Sequence, residues 1–210
     1  MKSTAATPVD RLSPAAARSP QLRQKDALDI ANCSNRLARI ALAKRPDLMD
    51  FPFALAVLVD DSNKEVRIAV ARNDRTLPPE IAKTLLLDKH RNVRAIYAMR
   101  SDLSDGHRMQ LANDPDYLPR MKIAERAVLP VSIIRKLVKD DNGHVVFAIA
   151  RHPDLDTQSM QSLADEPNAC FRETLALRAE LPHSIVAQLK ADTDDRVLAA
   201  INKTYPGESK

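Results

Sequence analysis

Glycine is scarce in this chain of 210 residues, with only Gly106, Gly143 and Gly207. None of them opens a phosphate-cradling loop, so a P-loop or a dinucleotide fold is excluded, and no G-x-S-x-G nucleophile elbow occurs. Tryptophan is absent and aromatic residues make up 3% of the chain, which leaves little material for stacking nucleobases. Two cysteines, Cys33 and Cys170, lie far apart without C-x-x-C spacing, so neither a disulfide framework nor a zinc site is indicated and a reducing cytoplasm is the expected setting. Uninterrupted apolar runs such as "FALAVLV" at 53–59 fall well short of the roughly 18 residues of a membrane span.

Acidic charge is scarce at one end. Residues 1–50 hold nine Lys or Arg against five Asp or Glu, whereas the remainder is balanced, so the net charge of +4 belongs to the leading segment. Its first 24 residues lack the apolar core of a secretory signal and are read as a disordered basic arm rather than an organelle transit peptide. A charge-balanced body argues against a broad basic nucleic-acid footprint.

What is present is a repeat. Leucine recurs at 77, 103, 129, 155 and 181, and again eight residues later at 85, 111, 137, 163 and 189, a period of 26 that chance does not produce. An acidic column follows at Asp88, Asp114, Asp140, Glu166 and Asp192, and a further apolar column at Tyr97, Ile123, Ile149, Leu175 and Ile201. Apolar spacings of four are helical, so each unit is read as two short helices. Pro78, Pro130 and Pro182 suit the first turn of one helix, and turns such as "DDNG" lead into the second. Helices of about ten residues are marginal alone, so each must bury its apolar stripe on neighbouring units.

The predicted fold is therefore all-α, a right-handed α-solenoid of short helical-hairpin repeats. A single domain is expected over 25–204, with a cap at 25–47, repeats at 48–76, 77–102, 103–128, 129–154, 155–180 and 181–204, and a tail at 205–210. Leu48 heads a longer unit of 29 residues. One unit departs from the pattern, with Pro119 in the Val/Phe column, Lys122 in a mostly alanine column and the apolar run "AVLPV" at 127–131. These changes predict a bend or an exposed patch.

The segment "VRIAVARNDRTLPPEIAKTLLLD" at 66–88 resembles the leucine-rich repeat variant, whose pattern reads approximately V-R-x-A-V-A-x-N-P-x-L-P-P-E-x-L-x-x-L-x-x-D. The resemblance extends over roughly residues 36–204 and degenerates toward the C-terminal copies. It implies a short helical repeat in which one helix of each pair is 3₁₀ in part. The unit of 26 residues exceeds the family's, which is about 24. The founding type holds an iron-sulfur cluster on an N-terminal cysteine motif, and this N-terminal region has Cys33 alone, so no cofactor is expected.

Catalytic and metal chemistry find no foothold. Asp140 and Asn142 alternate as in a calcium loop, but the twelfth position is Arg151 in place of the bidentate Glu. The five histidines share no metal-binding or zincin spacing. Two cationic columns stand out. Arg67, Arg94, Arg120 and Arg172 begin the second helices, interrupted by Val146 and Leu198. Arg100, Arg126, His152 and Arg178 end them. Pairing with the acidic column, or completion of a helix C-terminus, would employ them internally. Facing outward, they would form a partner-binding row, assisted by "DYLPRMK" at 116–122. The function expected is a non-catalytic scaffold for protein-protein interaction. The alternative is a nucleic-acid-binding helical repeat, through the basic arm or a groove like that of helical-repeat DNA glycosylases.

Overall fold

The computed structural model describes residues 12–206, and within them every regular element is helical. The chain groups into two compact units, Met1–Ser104 and Asp105–Lys210, where a single domain is the sequence expectation. Residues 1–11 of the expected arm and 207–210 of the expected tail lie outside the described residues.

The first unit contains α1 (Pro14–Ala17), α2 (Gln24–Ala31), α3 (Arg36–Ala43), a 3₁₀ turn (Leu48–Asp50), α4 (Pro52–Val59), α5 (Lys64–Ala71), α6 (Pro79–Leu86) and α7 (Arg91–Ala98). Helices pack on their second neighbours, α1 on α3, α3 on α5 and α5 on α7 in one row, with α2 on α4 and α4 on α6 in the other. Hairpins close between the rows, α2 with α3, α4 with α5 and α6 with α7.

The second unit contains α8 (Asp105–Leu111), α9 (Tyr117–Ala124), α10 (Val131–Leu137), α11 (Gly143–Ala150), α12 (Thr157–Ala164), α13 (Ala169–Ala176), α14 (His183–Lys190) and α15 (Asp195–Thr204). The same alternation holds. Helices α9, α11, α13 and α15 form one row, and α10, α12 and α14 the other.

Burial follows the repeat. Leu85, Leu111, Leu137, Leu163 and Leu189 are all at most 1% exposed, and Tyr97, Ile123, Ile149, Leu175 and Ile201 at most 3%. Both columns lie between the two rows of helices, where an eight-residue helix finds the burial it cannot supply alone. The first leucine column sits in the loops, with Leu77, Leu103, Leu129 and Leu155 buried and Leu181 half-buried.

Several expectations are refined. The arm expected over 1–24 is folded from residue 12 onward. Ser13 caps α1 through the Ala16 N–H, and Ala17 is fully buried. The cap expected at 25–47 is a complete hairpin, α2 with α3. The second helices are α-helical over eight residues or more and do not take the 3₁₀ character that the resemblance implies, whereas a 3₁₀ turn at Leu48–Asp50 takes up much of the extra length of that unit. Prolines 78, 130 and 182 occupy the N-cap position, one residue outside the helix.

Pro119 does not interrupt α9. It is the third residue of that helix, in the first turn, where an N–H would find no intrahelical acceptor. The run at 127–131 keeps Leu129 buried while Val128 and Val131 are exposed, so a surface patch is the observed consequence of that departure.

Candidate interaction surface

The start of each second helix is built from three columns, one of which the sequence reading overlooked. Asn35, Asn63, His90, Asp116, Asn142, Asn168 and Asp194 are the N-caps of α3, α5, α7, α9, α11, α13 and α15, each accepting a main-chain N–H two residues on. A residue that caps through its side chain satisfies an orphan donor and favours the turn before it. The mixture of Asn, Asp and His hid this column, because identity differs where function is the same.

The acidic column lies two residues before the caps and supports them. Asp61, Asp88, Asp114, Asp140 and Asp192 each accept the cap residue's N–H, at 2.7–2.9 Å. The same carboxylates receive the arginines of the preceding second helix. Arg67 meets Asp88, Arg120 meets Asp140 and Arg172 meets Asp192, each through Nε and Nη2 in a bidentate fork. Arg39, absent from the expected set, does the same with Asp61.

Every arginine of this column has a second task. Nη1 donates to the carbonyl six residues back, Arg39 to Cys33, Arg67 to Asp61, Arg94 to Asp88, Arg120 to Asp114 and Arg172 to Glu166, at 2.6–2.9 Å. The guanidinium thus ties its own turn to the next one, a use that its planar fork permits and a lysine could not match. Hydrogen bonds to Asp88, Asp140 and Asp192 hold the guanidinium pKa of Arg67, Arg120 and Arg172 above its ordinary value, in each case against burial.

The column at the end of the second helices also turns inward. Arg45 donates to the carbonyls of Ala17 and Ser19, Asn73 to Ala43 and Arg45, Arg100 to Ala71, Asn73 and Arg75, and Arg178 to Ala150, His152 and Pro153. These are C-terminal and post-helical carbonyls of the preceding second helix, groups that a helix leaves unsatisfied. His152 takes this place in α11 and is buried, with Nδ1 accepting the Asp154 N–H. Burial pushes its imidazole below the ordinary value, against the opposing pull of Asp154.

The expected partner-facing row is therefore largely occupied inside the fold. Arg67, Arg100, Arg120 and His152 are buried, and Arg94, Arg126, Arg172 and Arg178 are half-buried. Within "DYLPRMK", Asp116 caps α9 and Pro119 and Arg120 are buried, leaving Tyr117, Leu118, Met121 and Lys122 half-exposed. Asp140 and Asn142, the calcium-like pair, serve Arg120 and the α11 cap.

Large apolar side chains are exposed on both rows, Phe53 on α4 and Leu87 at the end of α6 in one, and four more on the outward side of the second-helix rows. Leu37, Met99, Phe147 and Leu177 lie there, on α3 and α11 or at the ends of α7 and α13, and are 39–58% exposed. Three open grooves run between neighbours in these rows. One of 790 Å³ lies between α1 and α3, floored by Leu37, Ile40 and Pro14. One of 510 Å³ lies beside Ile96 and Met99, and one of 420 Å³ beside Met121 and Phe147. Arg151 lies over the Phe147 ring at 4.3 Å, and the His144 ring packs against Tyr117 with centroids 5.8 Å apart.

Among the described residues there is no cluster of three or more His, Cys, Asp or Glu placed to hold a metal ion, and no helix long and apolar enough to cross a membrane. Cys33 and Cys170 are both free thiols. In comparisons with known proteins, the chain matches no family model and no curated protein.

Proposed function

We propose that the protein is a non-catalytic α-solenoid scaffold, akin to the leucine-rich repeat variant, that works in the cytoplasm and binds another protein along the outward side of its second helices. The observation that carries this reading is the set of exposed apolar side chains on those rows, Leu37, Met99 and Phe147 each lining an open groove and Leu177 at the end of α13. Exposed apolar residues lined up in a groove with a polar rim are the usual anatomy of a protein-binding patch. The alternating packing within each unit supports the solenoid, and the 26-residue period supports a common origin for its repeats.

Affinity capture of the intact protein from lysate of its source, with half the sample treated with nuclease, tests the reading. A partner protein recovered in near-stoichiometric yield after nuclease supports it. Recovery that collapses with nuclease overturns it in favour of nucleic-acid binding.

A further inference from the structure

The three grooves differ in charge. Beside Met99 the exposed Arg72 shares the lining with the exposed Asp74, and beside Phe147 the exposed Arg151 is engaged on the aromatic ring at 4.3 Å while Glu125 is held by Lys122. Between α1 and α3 the balance is different. Asp47, the acid in that lining, is held by Arg45 through two hydrogen bonds of 2.7 and 2.6 Å, so its charge is spent. Arg18 and Lys44 flank the same groove, both exposed, and neither has an acidic partner among the described residues. Between them Leu37 is 58% exposed over a floor shared with Ile40, Pro14 and Pro20.

We infer that the groove between α1 and α3 is a docking site for an acidic segment of a partner protein that carries a bulky apolar side chain. The inference rests on the scaffold reading above and names the partner's chemistry. Its volume of 790 Å³ lies within the range of about 300–1,000 Å³ that holds a compact ligand or a few side chains of a peptide. An apolar side chain would cover Leu37 and Ile40, while flanking carboxylates would neutralise Arg18 and Lys44, whose cationic rim steers such a segment in. The chemistry favours a peptide over a nucleic acid. A phosphate backbone would satisfy the two cations and leave the apolar floor without a partner, and no aromatic ring lines the groove for a base to stack on.

The test uses the full chain and a short fluorescein-labelled peptide of Glu, Asp and Leu, read by fluorescence anisotropy. Binding should weaken with added salt and fall at least about tenfold in Arg18→Glu/Lys44→Glu and in Leu37→Asp. All three positions are exposed or rim residues, and a melting curve confirms that the variants fold. Lys190→Glu, an exposed reversal on α14, should bind as the unchanged protein does. Absence of binding, equal binding of a peptide with Gln and Asn in place of the acids, equal binding by the double variant, or displacement of the peptide by oligothymidine that binds more tightly would each overturn the proposal. Lysate capture with the double variant separates the two readings. A nuclease-resistant partner that the double variant still retains overturns the groove and leaves the scaffold, whereas a nuclease-sensitive one overturns the scaffold itself.

Discussion

Arg67 on α5 reaches Asp88, in the turn before α7, through Nε at 2.6 Å and Nη2 at 3.0 Å, with both side chains 4% exposed. Removing one member of such a buried pair leaves the other charge stranded, which costs about 3–5 kcal/mol. Asp88→Ala should therefore lower unfolding stability by about that amount, measured by chemical denaturation, because it also takes the acceptor from the His90 N–H. A loss below about 1 kcal/mol would show that water replaces the carboxylate at little cost.

Acid should weaken the ladder at Asp140 and Asp192. Burial would raise the Asp140 carboxyl, but the Arg120 guanidinium and the Asn142 N–H outweigh it and hold the group below the usual carboxylate range. Asp192, beside Arg172, is lowered too. A carboxyl lowered by folding contributes stability that is present above its unfolded pKa of about 4 and lost as pH falls through the folded value. Denaturation midpoints measured between pH 7 and pH 2 should fall steeply below about pH 4. Asp140→Asn should be less stable at neutral pH and show a shallower acid slope.

His152 acts at milder pH. Burial lowers the pKa of its imidazole from 6.5 and Arg178 adds to that, outweighing Asp154 and the hydrogen bond with the Arg126 backbone, which both pull the other way. A base whose folded pKa is lowered contributes stability that is present above the unfolded value and lost as pH falls below it. Stability should thus decline as pH falls below about 6.5, and His152→Gln should remove that decline. An identical pH profile in both proteins would mean that the imidazole is not the titrating group.

The segment expected to be a disordered arm should matter for folding. Arg45 is 9% exposed and both Nη1 bonds go to Ala17 and Ser19, so a protein beginning at residue 21 loses α1 and these acceptors. Its unfolding free energy should drop by at least about 1 kcal/mol. Retention of the full melting temperature would show that α1 adds nothing to the first unit.

Helical type, repeat period and the core were legible in the sequence. Leucines at a fixed spacing of 26 and apolar pairs four apart are local signals, since helix geometry alone decides which side chains share a face. The pairing of arginines with the acidic column was legible as one of two options, and tertiary structure decided between them. An arginine reads the same in sequence whether it meets solvent or the carboxylate of the next repeat.

Other features left no residue signature. Carbonyl acceptors belong to every residue, so nothing in the sequence marked Ala71, Ala150 or Ser19 as the partners of Arg100, Arg178 and Arg45. The N-terminus also misled, since a basic segment without an apolar core reads as a disordered arm and yet Ala17 is buried. By itself the sequence determined an all-helical chain of short paired helices, because periodicity dictates local conformation. Only the tertiary structure decided that most of the two cationic columns serve as ties within the fold, and that Leu37, Met99, Phe147 and Leu177 are among the apolar side chains left exposed, because exposure depends on which helices stack on which.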